Sequence, residues 1–190
     1  MKNNLLIKFD LGGIGYGKNG YRTVNLISGV DIQKDILELD DYCKDNSVDE
    51  FFMSHTFEHI LSIKREKFVK KLLTKLKKGG KLIIIQTDIK KVLKLYCKGI
   101  LDFYCLRDII LTPMDRQIKM YKITRKNLQQ HQGCWGAGEL KKELLYYGFS
   151  KVELFDVRKW NFDCNSFFPF QKNEKYFGIK IPNLGIIATK

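Results

Sequence analysis

No apolar run in the 190-residue chain approaches the ~20 residues that a membrane-spanning helix requires. The opening Met1-Lys2-Asn3-Asn4-Leu5 is too brief for a signal peptide, so a soluble, cytoplasmic protein is expected. Cysteine is sparse and unpaired in pattern. Five are present, an odd number with no Cys-x-x-Cys, which argues against a disulfide framework or a zinc ribbon and fits a reducing compartment. Internal repeats, low-complexity tracts and linkers are also missing, so residues 1–190 are expected to form one domain, large enough to bury a core without staples. Acidic residues are outnumbered, 21 against 34 basic, for a net charge of +13. Such an excess invites a nucleic-acid partner through counterion release. The cations are mostly lysines spread along the chain, however. Their densest run, Lys64 to Lys81, carries Phe68, Val69, Leu72, Leu73 and Leu76 at helical spacing, the pattern of a solvated helix face. A nucleic-acid acceptor is possible but not favoured.

What is present is an alternation of strands and helices. Leu5 to Leu11 is a short apolar run, Gly12 to Gly20 a glycine-rich loop, and Tyr21 to Ile27 a second strand, with a short third strand expected over Asp31 to Asp35. Glu50 to Ser54 reads as a strand, followed by a helix from about Glu58 to Lys77 that Gly79-Gly80 is expected to stop. Lys81 to Thr87, "KLIIIQT", is a buried strand. Lys90 to Ile110 reads as helical with a break near Gly99, and Asp88 as the cap of that helix. Gly138 to Tyr147 is a helix closed by Gly148, and Lys151 to Val157 and Asn183 to Thr189 are late strands. The pattern predicts an α/β, Rossmann-like three-layer sandwich with a mostly parallel sheet, and the last two strands an antiparallel edge pair. Only Gly12 to Gly20 separates the first two strands, so the first helix should be reduced or absent.

The stretch Ser54 to Ile60, "SHTFEHI", contains His-x-x-Glu-His, which matches the inverted zinc-protease motif only if both histidines stand on one helical face. Here His55 directly follows the strand-like "FFMS", which places it in a strand-to-helix corner instead. On that reading Glu58 stands in the helix's first turn near the positive dipole end, His59 packs beneath it as the more buried histidine, and no metal is assigned. A weaker metal reading of His55, Glu58 and His59 stays open, although a hard ion would want more carboxylates than this trio offers.

The pieces "DNSVDEFFMSHTFEHI", "LKKGGKLIIIQTD" and "LLYYGFSKVEL", in this order, carry a resemblance, while "LGGIGYG" departs from the commoner Gly-x-Gly-x-Gly form of the first motif. From Leu5 to about Val157 the chain resembles the class I S-adenosylmethionine-dependent methyltransferases, and more narrowly a compact branch often associated with cell-surface glycan genes. The resemblance implies S-adenosylmethionine as cofactor and a small-molecule or glycan acceptor. It implies a cofactor site at the carboxyl ends of the strands, where ligands of open α/β sheets bind. Leu11, Gly12 and Gly13 would approach the methionine carboxylate through backbone N–H groups. Asn25 would accept from the ribose, where the family usually has an acid. Asp35 would face the adenine amino group, with Ile36 against the ring, and Ser54 and His55 would close the pocket. The alternative is a degenerate fold that binds without catalysis, favoured by Asn25 and the short first loop.

Methyl transfer from a sulfonium releases a neutral leaving group, so catalysis is chiefly alignment, and a base is needed only for a protonated acceptor. His55 and His131, the latter in "HQGCWGAG", are the candidate bases. The segments about 108–138 and 159–177 lie outside the common scaffold and are expected to cover the acceptor side. The second carries Trp160, Phe162, Phe167, Phe168, Phe170, Tyr176 and Phe177.

Overall fold

The computed structural model describes residues 6–111, 131–157 and 181–190. Most of the segments about 108–138 and 159–177, with the aromatic residues 160–177, therefore lies outside the described residues. Seven strands form one sheet: β1 (Lys8–Leu11), β2 (Tyr21–Asn25), β3 (Ile32–Gln33), β4 (Val48–Ser54), β5 (Leu76–Thr87), β6 (Lys151–Phe155) and β7 (Asn183–Thr189), in the order β3-β2-β1-β4-β5-β7-β6. Neighbouring strands from β3 to β5 pair in parallel, and β7 runs antiparallel to both β5 and β6. The antiparallel strand expected at the end of the chain is thus β7, inserted one place in from the edge. The helices are α1 (Ser62–Lys75), α2 (Ile89–Cys97), α3 (Phe103–Leu111) and α4 (Ala137–Tyr147). None among the described residues is long and apolar enough to cross a membrane.

Alternation along the strands sorts the core. Phe9, Leu11, Phe51, Met53, Leu82 and Ile84 point to one face, where Phe68, Val69 and Leu72 of α1 and Leu140 and Leu144 of α4 meet them. Tyr21, Phe52, Ile83 and Ile85 form a second buried cluster on the other face. Burial on both faces is why these central strands read as continuous apolar runs. No helix occupies the nine residues between β1 and β2, as their brevity predicts. Asp88 caps α2 by accepting from the Lys91 amide, and Gly148 closes α4 at φ +113°.

Two boundaries differ from the sequence expectation. The helix expected from Glu58 begins only at Ser62, because Phe57 is fully buried and residues 57–59 tighten into a 3-10 turn before the chain extends at Ile60. Its end is not set by Gly79-Gly80. Leu76 is fully buried and pairs with Val48, so core packing draws the chain into β5 first, and the glycines form an irregularity between that pair and Glu50–Lys81. Apart from Arg65 and Lys75, which are buried, the cations of α1 lie on the helix face turned from the core, as the spacing implies.

The two faces of α1 should answer differently to substitution. Leu72→Ala removes a fully buried side chain and should cost about 2–5 kcal/mol in denaturant melts. Lys67→Ala, on the exposed face, should stay within about 0.5 kcal/mol. Equal costs would mean that α1 does not pack by this stripe.

Candidate functional site

β4 ends at Ser54 and passes to His55, whose φ of +49° lies in the left-handed region that non-glycine residues seldom adopt and that clusters at functional sites. The His55 amide still donates to Ile85 O at 2.8 Å, and Thr56 Oγ1 donates to Ser54 O at 3.1 Å, so the corner stays tied to the sheet. His55 therefore precedes any helix and shares no helical face with His59, which removes the structural requirement of the inverted zinc-protease motif. Glu58 is not in the first turn of α1. It lies in the 3-10 turn, where it is the more buried partner, and His59 is only half-buried. The expectation that Glu58 and His59 serve the helix start is corrected accordingly, because the dipole of α1 begins beyond them.

Glu58 instead gathers imidazoles. His55 Nδ1–H donates to its Oε1 at 3.3 Å, and the His131 ring lies 4.8 Å from that of His59, centroid to centroid. Burial pushes the Glu58 carboxyl up, but the hydrogen bond from His55 and the fields of His55, His59 and His131 outweigh it and hold the pKa at about 2. His131 Nδ1–H donates to Ile110 O at 3.1 Å, which leaves Nε2 with its lone pair. Burial holds His131 below the usual imidazole range, against the opposing field of Glu58. One donor atom each from Glu58, His59 and His131 lies within 4.8 Å of the others.

His131 reaches this place because residues 131–135 are fastened to the corner. The Gln132 amide donates to Glu58 O at 2.6 Å, and the Ile89 amide to Trp135 O at 3.1 Å. Arg65, buried in α1, donates from Nη2 to Ile60 O at 3.0 Å and Gln132 O at 3.2 Å, and its guanidinium stands 4.5 Å over the Trp135 ring. Glu143 of α4 completes the joint, 3.5 Å from Arg65 Nη1 and bonded by Trp135 Nε1–H and Tyr147 O–H. Beside it lies a small pocket, with room for about one water, lined by Glu58, Gln86, Ile109, His131, Cys134 and Trp135 among others. Arg65, Gln86 and Glu143 were not singled out from sequence, yet two left a signal. Arg65 stands at positions i, i+3, i+4 and i+7 with the buried Phe68, Val69 and Leu72, and Gln86 interrupts the apolar run of β5.

The expected cofactor residues sit at the carboxyl ends of β1, β2 and β4. Gly12 has φ +91°, and a Cβ there would stand 2.4 Å from Thr56 Oγ1, so only glycine lets the first loop approach the corner. The Gly12 N–H donates to Val24 O at 2.8 Å and is thereby spent within the sheet. Leu11 is fully buried in the core, and the Ser54 hydroxyl, also buried, finds no hydrogen-bond partner among the described residues. Asn25 Nδ2 donates to Gly12 O at 3.0 Å and Gly13 O at 2.9 Å, and its Oδ1 accepts from the Leu26 amide. A carboxylate could accept but could not make either bond to those carbonyls, so the amide at this position has a structural cause. Asp31, not Asp35, braces the loop, its Oδ2 accepting from the Gly17 and Thr23 amides at 2.7 and 2.8 Å. Asp35 closes its own turn by accepting from the Leu37 amide, and Ile36 packs against the main core.

Asn25→Asp should destabilise by about 1–3 kcal/mol, as a carboxylate set against two carbonyl oxygens would. An unchanged or higher melting temperature would mean that Asn25 does not clamp the loop. Arg65→Met should cost about 3 kcal/mol, the low end for breaking a buried ion pair, since Glu143 keeps Trp135 and Tyr147. Amide exchange at Gln132 should quicken with it; unaltered protection there would show that Arg65 is not the joint.

Residues 16–84 match the family model described as a methyltransferase domain. No curated protein sequence matches the chain significantly. Among solved structures, the chain is similar to a SAM-dependent methyltransferase of Archaeoglobus fulgidus, at 15% identity over 98% of this chain and 87% of the other, with a TM-score of 0.55. It is also similar to a SAM-dependent methyltransferase of Methanosarcina mazei (20% identity, 96% and 91% coverage, TM-score 0.54). A third likeness is to phosphoethanolamine N-methyltransferase 2 of Haemonchus contortus, held with S-adenosylhomocysteine (13% identity, 97% and 48% coverage, TM-score 0.51). The matched segment and these likenesses give the chain the fold of the class I S-adenosylmethionine-dependent methyltransferases.

Proposed function

We propose that this chain is a methyltransferase that takes S-adenosylmethionine as cofactor and methylates a small-molecule or glycan acceptor, with residues 1–190 forming one domain. The observation that carries the reading is the close approach of Gly12 to Thr56, which brings the first loop and the β4 corner together at the carboxyl ends of parallel strands. With no Cβ at Gly12 the first loop lies directly against Thr56, and the methionine end of the cofactor would lie along that loop. Gly12 and Gly13 would line it through backbone, with the amides beyond Gly12 facing the carboxylate. Asn25 keeps one lone pair on Oδ1 for a ribose hydroxyl, and Asp35 and Ile36 would stand at the adenine edge. Ser54 and His55 would close the site on the sulfonium side.

Bound S-adenosylmethionine supplies an electrophilic methyl whose departure leaves a neutral thioether. The chain's own part is alignment, for which rigid placement of the corner matters most. Where the acceptor must lose a proton, His55 would take it at Nε2, because Nδ1–H is held by the Glu58 carboxylate in a base-and-orienter pair. His131 is the second candidate, lining the pocket on the acceptor side. A nucleic-acid acceptor has only the net charge of +13 in its favour. The missing helix between β1 and β2 favours the non-catalytic alternative, a binding module on the same fold.

Calorimetric titration with S-adenosylmethionine should give one site, and saturating cofactor should raise the melting temperature, as a ligand of the native state does. His55→Asn, an exchange that tolerates the left-handed backbone, should weaken cofactor binding or turnover while leaving the fold intact. No binding at millimolar cofactor would reject the enzyme reading in favour of the binding module.

A further inference from the structure

We propose that Glu58, His59 and His131 form a binding site for one divalent transition-metal ion of the zinc type, with an open position facing the adjoining pocket. Three observations carry it. Donor atoms of the three residues lie within 4.8 Å of one another, although His131 is more than seventy positions from the other two in sequence. In Glu58 and His131 one side-chain atom is held and another remains to meet an ion. Glu58 Oε1 is engaged by His55 while Oε2, fully enclosed, finds no hydrogen-bond partner among the described residues. His131 gives Nδ1–H to Ile110 O and so presents Nε2 as a lone pair, the outer bond that metal-binding imidazoles ordinarily make. Third, the pocket that Glu58 and His131 line also holds Gln86, 1% exposed, with neither carboxamide atom bonded within the described residues. A buried amide with no partner on either atom is costly unless a ligand meets it.

The donor set selects the ion. Two imidazole nitrogens and one carboxylate oxygen suit zinc and its neighbours, whereas magnesium and calcium seek oxygen alone. A tetrahedral ion about 2.1 Å from each donor sets the donors roughly 3.4 Å apart, so binding would draw the three together by about an ångström. Three protein ligands leave a fourth position, and the pocket beside it would admit a hydroxyl or another lone-pair donor. That last assignment, a metal-held acceptor, rests on the methyltransferase reading; the ion site itself does not.

The test is calorimetric titration of the metal-stripped full chain with Zn2+ and, separately, with Mg2+, both without S-adenosylmethionine. One zinc per chain is expected, with a higher melting temperature and Mg2+ bound at least tenfold more weakly. Glu58→Gln, His59→Ala and His131→Ala should each weaken zinc at least tenfold, while Cys134→Ser, which removes the thiol lining the same pocket, should not. Should a variant fail to fold, Co2+ titrated into the wild-type chain must give the intense visible absorption of a four-coordinate nitrogen-oxygen site. Absence of zinc binding, tighter binding of Mg2+, zinc binding indifferent to all three substitutions or abolished by Cys134→Ser, or a weak octahedral cobalt spectrum would each overturn the site. Cofactor titration is scored apart, so a chain that binds zinc but not S-adenosylmethionine loses the enzyme reading and keeps the metal.

Discussion

A buried guanidinium must find partners for its donors, and in this molecule that constraint joins the β4 corner to residues 131–135. Arg65 lies 7% exposed in the first turn of α1, over the neighbouring rings of Phe57 and Trp135. Its bonds to Ile60 O and Gln132 O join two segments far apart in sequence, and Glu143 supplies the opposing charge. Removing a charge of this kind from water is expensive unless every neighbour is fixed. The joint therefore holds residues 131–135 rigidly against the β4 corner. The same segment is also tied by the Gln132 amide to Glu58 O and by His131 to Ile110 O, and together these bonds stand His131 beside Glu58.

The opposite end of the site solves a different problem. A parallel crossover usually needs a dozen residues or more, and most such crossovers carry a helix whose backbone satisfies itself. Nine residues link β1 to β2 here, so side chains do the work that a helix would. Asn25 donates to two glycine carbonyls, and Asp31 accepts from two amides across the loop. The amide at position 25 thus goes with the shortened connection, whose carbonyls it caps. Thr56 packs on Gly12, which couples the first loop to the corner bearing His55 and Glu58.

Local chemistry was legible from the sequence wherever period, caps and turns decided it. The apolar runs became central strands because both faces are buried, Asp88 and Gly148 became caps, and the brief Gly12 to Gly20 link excluded a first helix. That His55 stands in a corner and not on a helix also followed from the strand before it. The superfamily resemblance rests on such ordered local pieces, which is why a family model covers residues 16–84. Tertiary packing decided the rest. Leu76 ended α1 ahead of its glycines, and Phe57 held the chain in a 3-10 turn so that Glu58 turned toward His131 instead of the helix dipole. Arg65, read as one more cation on a solvated face, entered the core because partners from α4 and from residues 60 and 132 awaited it. Spacing along a chain reports which residues share a face of one element; which distant residues share a site depends on how buried charges find their partners, and only the assembled structure holds that information.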